Sequence, residues 1–158
     1  MNKPSGDKHF PPPDAIDPAD YENDFLLWID KQVGLLRARK FEQLDLNNII
    51  EEMDSMGKSL RRELESRLEV LIMHLLKCQF QPSKKSGSWL GTIHEQRSQL
   101  HRLLEENPSL RRDVAQRAQR AYASAAHGAS LETGLPESAF PAEMSYSVNQ
   151  LLDRRYFP

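Results

Sequence analysis

An all-α fold is what this sequence predicts: a compact helical bundle of five or six helices behind a disordered, Pro-rich N-terminal tail. Three observations carry that reading. Apolar residues recur at helical spacing from Phe25 to Leu152, cap and proline signals cut the pattern into segments, and no stretch sustains the period-two alternation of a strand. A chain of 158 residues suits one domain with a real core. The expected organisation is therefore residues 1–17 as tail and 18–158 as a single helical-bundle domain.

The tail holds Pro4, Pro11, Pro12 and Pro13 and has little to bury. Asp17 followed by Pro18 then reads as an N-cap with proline at the first helical position. Phe25, Leu26, Ile29, Val33 and Leu36 give that helix an apolar face, widened by Trp28 and Leu35. Arg37, Arg39 and Lys40 suit its C-terminus, where the dipole is negative, so the helix is expected to run from about Pro18 to about Arg39.

Asp45 is the next cap, before Leu46, Ile49, Ile50 and Met53. Beyond Gly57, a stripe of Leu60, Leu64, Leu68, Leu71, Leu75 and Cys78 continues to Pro82. Unbroken, residues 46–80 would form a helix of about 52 Å, against a diameter of about 40 Å for a compact domain of this size. A bend or break near Gly57 is expected; without one, the projecting end is a partner surface. Residues 82–88 read as a loop, with Ser88 capping a helix that carries Trp89, Ile93, Gln96, Leu100, Leu103 and Leu104. Asn107-Pro108 opens an alanine-rich helix with Val114, Ala118, Ala121, Tyr122 and Ala125 on one side. Gly134, Pro136 and Pro141 mark an irregular segment, and Ser147 with Gln150 forms a capping box for a short last helix.

Composition narrows function. A net charge of −2 leaves no global basic field to attract nucleic acid or an anionic membrane. Cys78 is the only cysteine, which excludes an internal disulfide and any multi-cysteine metal site. No apolar stretch approaches the roughly 20 residues of a membrane span, and the N-terminus has no apolar signal segment, so the expected location is the cytoplasm. Cys78 lies on the leucine stripe and reads as an inert core thiol. The phosphate-loop, dinucleotide-binding and nucleophile-elbow motifs are absent, and no cofactor is implied.

One feature invites chemistry. On a helical wheel, Ser59, Glu63, Arg67, Val70, His74, Lys77 and Gln81 line up between two apolar flanks. The preferred reading is a solvated seam, with Glu63 and Arg67 as an i, i+4 pair and the Lys77 stem laid across the flanks. The alternative turns His74 and Lys77 inward to meet Glu51 or Glu52, because a buried cation requires an acid. With Arg67 and Arg97, those residues form a candidate polar cluster for a small enzyme or ligand binder. His74, His94 and His101 are weak candidates for metal ligation, lacking any Glu-x-x-His pair. Arg97, Arg102, Arg111, Arg112, Arg117 and Arg120 could form a basic face, but Glu105, Glu106 and Asp113 interrupt it, which weighs against nucleic acid.

DFLLWIDKQVGLLR (24–37), LDLNNIIEEMDSMGKSLRRELESRLEVLIMHLLKCQFQP (44–82), SWLGTIHEQR (88–97) and SYSVNQLLDRRYFP (145–158) resemble the bacterial domain-of-unknown-function family 29. The resemblance implies a small all-helical protein and carries no activity and no catalytic residues. It marks Trp28, Gln32, Asp45, Asn48, Glu51, Glu52, His74, Leu75, Leu76, Lys77, Gln79, Pro82, Trp89, Gln96 and Arg97 as characteristic positions. Cys78 departs from it, standing where a tryptophan is usual. Glu143-Met144 departs too, standing where a Cys-Pro pair often precedes the Tyr-Ser. The expected function is a non-enzymatic interaction or regulatory module, binding a protein partner or a second copy, with the polar-pocket reading as alternative and nucleic-acid binding third.

Overall fold

A computed structural model describes residues 19–158. The expected tail, residues 1–17, and the Asp17-Pro18 cap lie outside the described residues. Among those described, the chain forms six α-helices and four short 3-10 turns, with no strand: α1 (Ala19–Asn23), α2 (Phe25–Arg37), α3 (Leu46–Phe80), α4 (Gly87–Glu106), α5 (Val114–Thr133) and α6 (Val148–Leu152). The chain divides into two compact units, residues up to Ser55 and Met56–Pro158.

In the first unit the single expected helix is two. Asp24 interrupts it, because its Oδ1 accepts from the Leu27 amide at 3.0 Å and caps α2. Tyr21, Phe25 and Trp28 pack ring on ring, 5.0 to 5.8 Å apart. The buried stripe of α2 is Trp28, Gln32 and Leu35, whereas Phe25, Leu26, Val33 and Leu36 are exposed. Most of the face expected to be core is thus on the outside. The reason lies in Asp45. Its carboxylate accepts from Trp28 Nε1 at 3.1 Å and from Asn48 Nδ2 at 2.7 Å, and its amide donates to Gln32 Oε1 at 2.9 Å. Those bonds rotate α2 so that Trp28 and Gln32 face inward. α2 ends with Arg39 in the left-handed region (φ 57°), where the Arg39 and Lys40 amides close back on Leu36 and Leu35.

α3 runs through Gly57 as one helix of 35 residues, so the expected break is absent. Glycine weakens a helix by about 1 kcal/mol relative to alanine but keeps its N–H, and so does not break it. Asp45 starts α3, accepting from the Asn48 amide at the edge of hydrogen-bond range, 3.4 Å.

In the second unit the latter half of α3 is enclosed. Leu64, Leu68, Leu71, Ile72, Leu75 and Leu76 are fully buried, among Ile93, Leu100 and Leu104 of α4, Val114, Ala118, Ala125 and Ala129 of α5, and Leu151 of α6. The alanines and Gly128 let α5 lie close, and a Cβ added at Gly128 would sit 2.8 Å from Met73 Sδ. Ser86, not Ser88, caps α4, accepting from Trp89 N. Asn107 ends α4 rather than opening α5: its Nδ2 donates to Leu103 O at 3.2 Å, and Pro108–Asp113 is a 3-10 turn before α5 begins at Val114. The Ser147–Gln150 capping box of α6 forms as expected.

Candidate functional site

The polar seam of α3 changes character along its length. At Glu63 and Arg67 it is solvated: Arg67 Nε and Nη2 both reach Glu63 Oε1, at 2.9 and 2.7 Å, in an i, i+4 pair. Two turns further it is enclosed. His74 is 8% exposed and Lys77 2%, so the preferred solvated reading fails for these two residues. The acid that accompanies Lys77 is Glu132, from the last turn of α5, with its side chain 49% exposed. The Trp89 ring of α4 covers the ammonium, 4.5 Å from Nζ to the ring centroid. Lys77 therefore has its aliphatic stem in the core and its head at the α4–α5 edge, between an acid and a π-face.

His74 sits one turn before Lys77. Its Nδ1 is 2.9 Å from Val70 O, and a carbonyl can only accept, so Nδ1 carries the proton and Nε2 the lone pair. Burial pushes its pKa below the ordinary histidine value, and nearby Lys77 adds to that; the Val70 bond and Glu132 oppose it without prevailing. At neutral pH the ring is an uncharged acceptor. Gln81, the last member of the seam, donates to Thr133 O at 3.2 Å and closes the α3–α5 contact below the pair.

Glu51 and Glu52 are not the acids of this cluster. They belong to the first unit and precede His74 by more than 20 residues in the chain. Glu52 accepts instead from the Tyr21 hydroxyl at 2.6 Å, which pushes the tyrosine pKa up to about 12.

Arg97 does not join the cluster either. Fully buried on α4, it donates from Nε to Leu151 O at 2.9 Å, from Nη1 to Tyr156 O at 2.6 Å and from Nη2 to Gln150 O at 2.9 Å. His101, one turn on, bonds through Nε2 to Leu152 O at 2.8 Å. The carbonyls of Gln150, Leu151 and Leu152 are the orphans at the negative end of α6, and Arg97 with His101 caps that end. His94 is exposed. Among the described residues no three His, Cys, Asp or Glu side chains gather in a metal-holding group. Of the arginines considered for a basic face, Arg117 pairs with Glu65 at 2.7 Å, while Arg102, Arg111, Arg112 and Arg120 are exposed. Burial raises the Cys78 thiol pKa, consistent with a core residue rather than a nucleophile.

One feature was misread from the sequence. Leu46, Ile50, Met53, Met56 and Leu60, assigned to core-facing positions or passed over, are 54%, 63%, 68%, 67% and 36% exposed. Their signal was visible as steps of four, three, three and four residues along one edge of the helix.

Helices whose buried cations, Lys77 and Arg97, are closed by an acid and by backbone carbonyls, with a bare apolar edge on the longest of them, define a small all-α protein. The chain belongs to the family described as Domain of unknown function DUF29, whose model matches residues 21–157. No curated protein and no solved structure matches the chain. No described helix is long and apolar enough to cross a membrane.

Proposed function

We propose that this protein is a non-enzymatic interaction module, working in a bacterial cytoplasm, whose docking face is the apolar edge of the first four turns of α3. The observation that carries the reading is the exposure of Leu46, Ile50, Met53, Met56 and Leu60 along that edge. Soluble proteins rarely leave contiguous apolar surface without a use for it. The polar groups that could have supported chemistry are engaged elsewhere: Lys77 with Glu132, Arg97 with three carbonyls, Glu52 with Tyr21. A thiol buried at Cys78 accords with a reducing compartment.

Ligand binding at the edge of Lys77 is the second reading, favoured by the neutral His74 ring, whose Nε2 carries a lone pair beside a buried cation. The cation's existing acid partner weighs against it.

The test places a photo-cross-linking amino acid at Ile50, and separately at exposed Glu106 on α4 as control, in the full chain expressed in cells. The docking reading expects a discrete protein adduct from position 50 and none from position 106. Position 50 giving no adduct above that control would overturn it.

A further inference from the structure

We propose that the first four turns of α3 pair with the same turns of a second copy of this chain, running antiparallel. This rests on the docking reading and names its partner. Leu46, Ile50, Met53, Gly57 and Leu60 step by four, three, four and three residues, the 3.5-residue period of a two-helix seam rather than the wider face of a core helix. At Leu64 the same stripe enters the core, so the seam is free only over the segment before it.

The charges choose the occupant and its direction. Glu51 and Glu52 lie in the first part of the segment, and Arg62 and Arg61, the latter 3.8 Å from Asp113, follow directly after its end. Asp54 and Lys58, both engaged within the chain, follow the same order. A parallel copy would set acids against acids and bases against bases. An antiparallel copy reverses the order: about an axis at Ser55, Glu52 falls opposite Lys58 of the copy and Arg61 comes alongside the Glu51 end, while Asp54 alone of the charged residues lies next to its own counterpart. No foreign sequence is required, because the segment is complementary to its own reverse, as a two-fold interface must be.

The side chains fit that register. With the two-fold axis at Ser55, Ile50 falls opposite Leu60 of the copy, and Met53 falls opposite Gly57. The long, flexible methionine fills the space that the missing side chain leaves. Met56, exposed beside the seam, falls next to its own counterpart. A seam of this length buries less than the roughly 1,600 Å² of a standard interface, so association is concentration-dependent.

The experiment mixes two full-length variants, Asn47→Cys and Arg61→Cys, under mild air oxidation. Sedimentation of the unsubstituted chain from micromolar to millimolar concentration runs alongside; Cys78 is buried and does not compete. The proposal expects a reversible dimer, a heterodisulfide between the two variants as the main product, and little cross-linking of either variant alone. It also expects Glu51→Lys/Glu52→Lys to weaken the dimer several-fold at low salt, and the further exchange Arg61→Glu/Arg62→Glu to restore it. A monomer throughout that range, or disulfides formed within each variant alone, overturns the antiparallel pairing. An Ile50 photo-adduct to a different protein, with a monomeric chain, sinks the pairing while leaving the docking reading standing. No Ile50 adduct at all removes the docking reading itself.

Discussion

Lys77 and Glu132 are 55 residues apart in the chain and form an ion pair in which the lysine is buried and the glutamate half in water. The asymmetry decides what each contributes. Removing the acid leaves a buried cation with only the Trp89 face and whatever water reaches it. Removing the cation leaves a carboxylate that water solvates. Glu132→Gln is expected to lower unfolding stability by about 1–2 kcal/mol, discounted for the exposed partner. Lys77→Met, apolar and similar in length, is expected to be less harmful than Glu132→Gln. Urea unfolding followed by circular dichroism checks the order; the reverse order would mean that water, not the carboxylate, is the lysine's main support.

His74 gives the fold a pH dependence whose sign follows from its environment. Its folded pKa lies below the unfolded value of 6.5 because burial disfavours the charged ring. The unfolded chain therefore takes up the proton first. The neutral ring's contribution is complete above pH 6.5 and is lost as pH falls from there toward the folded pKa. Thermal melts at pH 7.5 and 5.5 should show a drop in Tm that is smaller in His74→Gln than in the unsubstituted chain. An equal drop in both would place the sensitivity in another group.

Arg97 holds three carbonyls of the C-terminal segment with one side chain. Arg97→Met leaves them without a donor, a loss of at least about 3 kcal/mol. Hydrogen exchange should then accelerate over residues 146–158 before it does so in α3. Uniform acceleration across the second unit would show that the arginine supports the whole core rather than the α6 end.

Arg39 occupies a left-handed conformation that favours glycine. Arg39→Gly is expected to stabilise by about 0.5–1 kcal/mol, read as a raised denaturation midpoint in urea. A loss instead would reveal a role for the arginine side chain.

Ile50→Glu/Met53→Glu alters two exposed positions of one helix. Its unfolding midpoint, measured at a concentration too low for association, should move by less than about 0.5 kcal/mol. A large destabilisation would mean that the apolar edge supports the fold.

Local signals were legible along the chain. The Asp45 and Ser147 caps, the Leu64–Cys78 stripe and the Glu63–Arg67 pair are set by residues within a few positions of each other, and the structure has them as read. The failures are equally specific. Asp24 was passed over as a cap, although aspartate is a preferred cap residue, because the apolar spacing runs straight across it. The Lys77 acid was sought on α3 and stands on α5. Arg97 was grouped with acids, yet its acceptors are backbone carbonyls, which every residue carries and no sequence pattern marks.

Taken by itself, the order of residues determined that this chain is helical, where α3 and α6 begin and which stretch of α3 is apolar enough to be enclosed. Periodicity and caps act within one or two turns, so they need no knowledge of neighbours. Only the tertiary structure decided which face of α2 turns inward, that α3 continues through Gly57, and that His74 and Lys77 are enclosed while Ile50 and Met53 are left bare. Those outcomes depend on which helix arrives alongside, and the free energy of burying or baring a side chain is a property of that neighbour as much as of the residue itself.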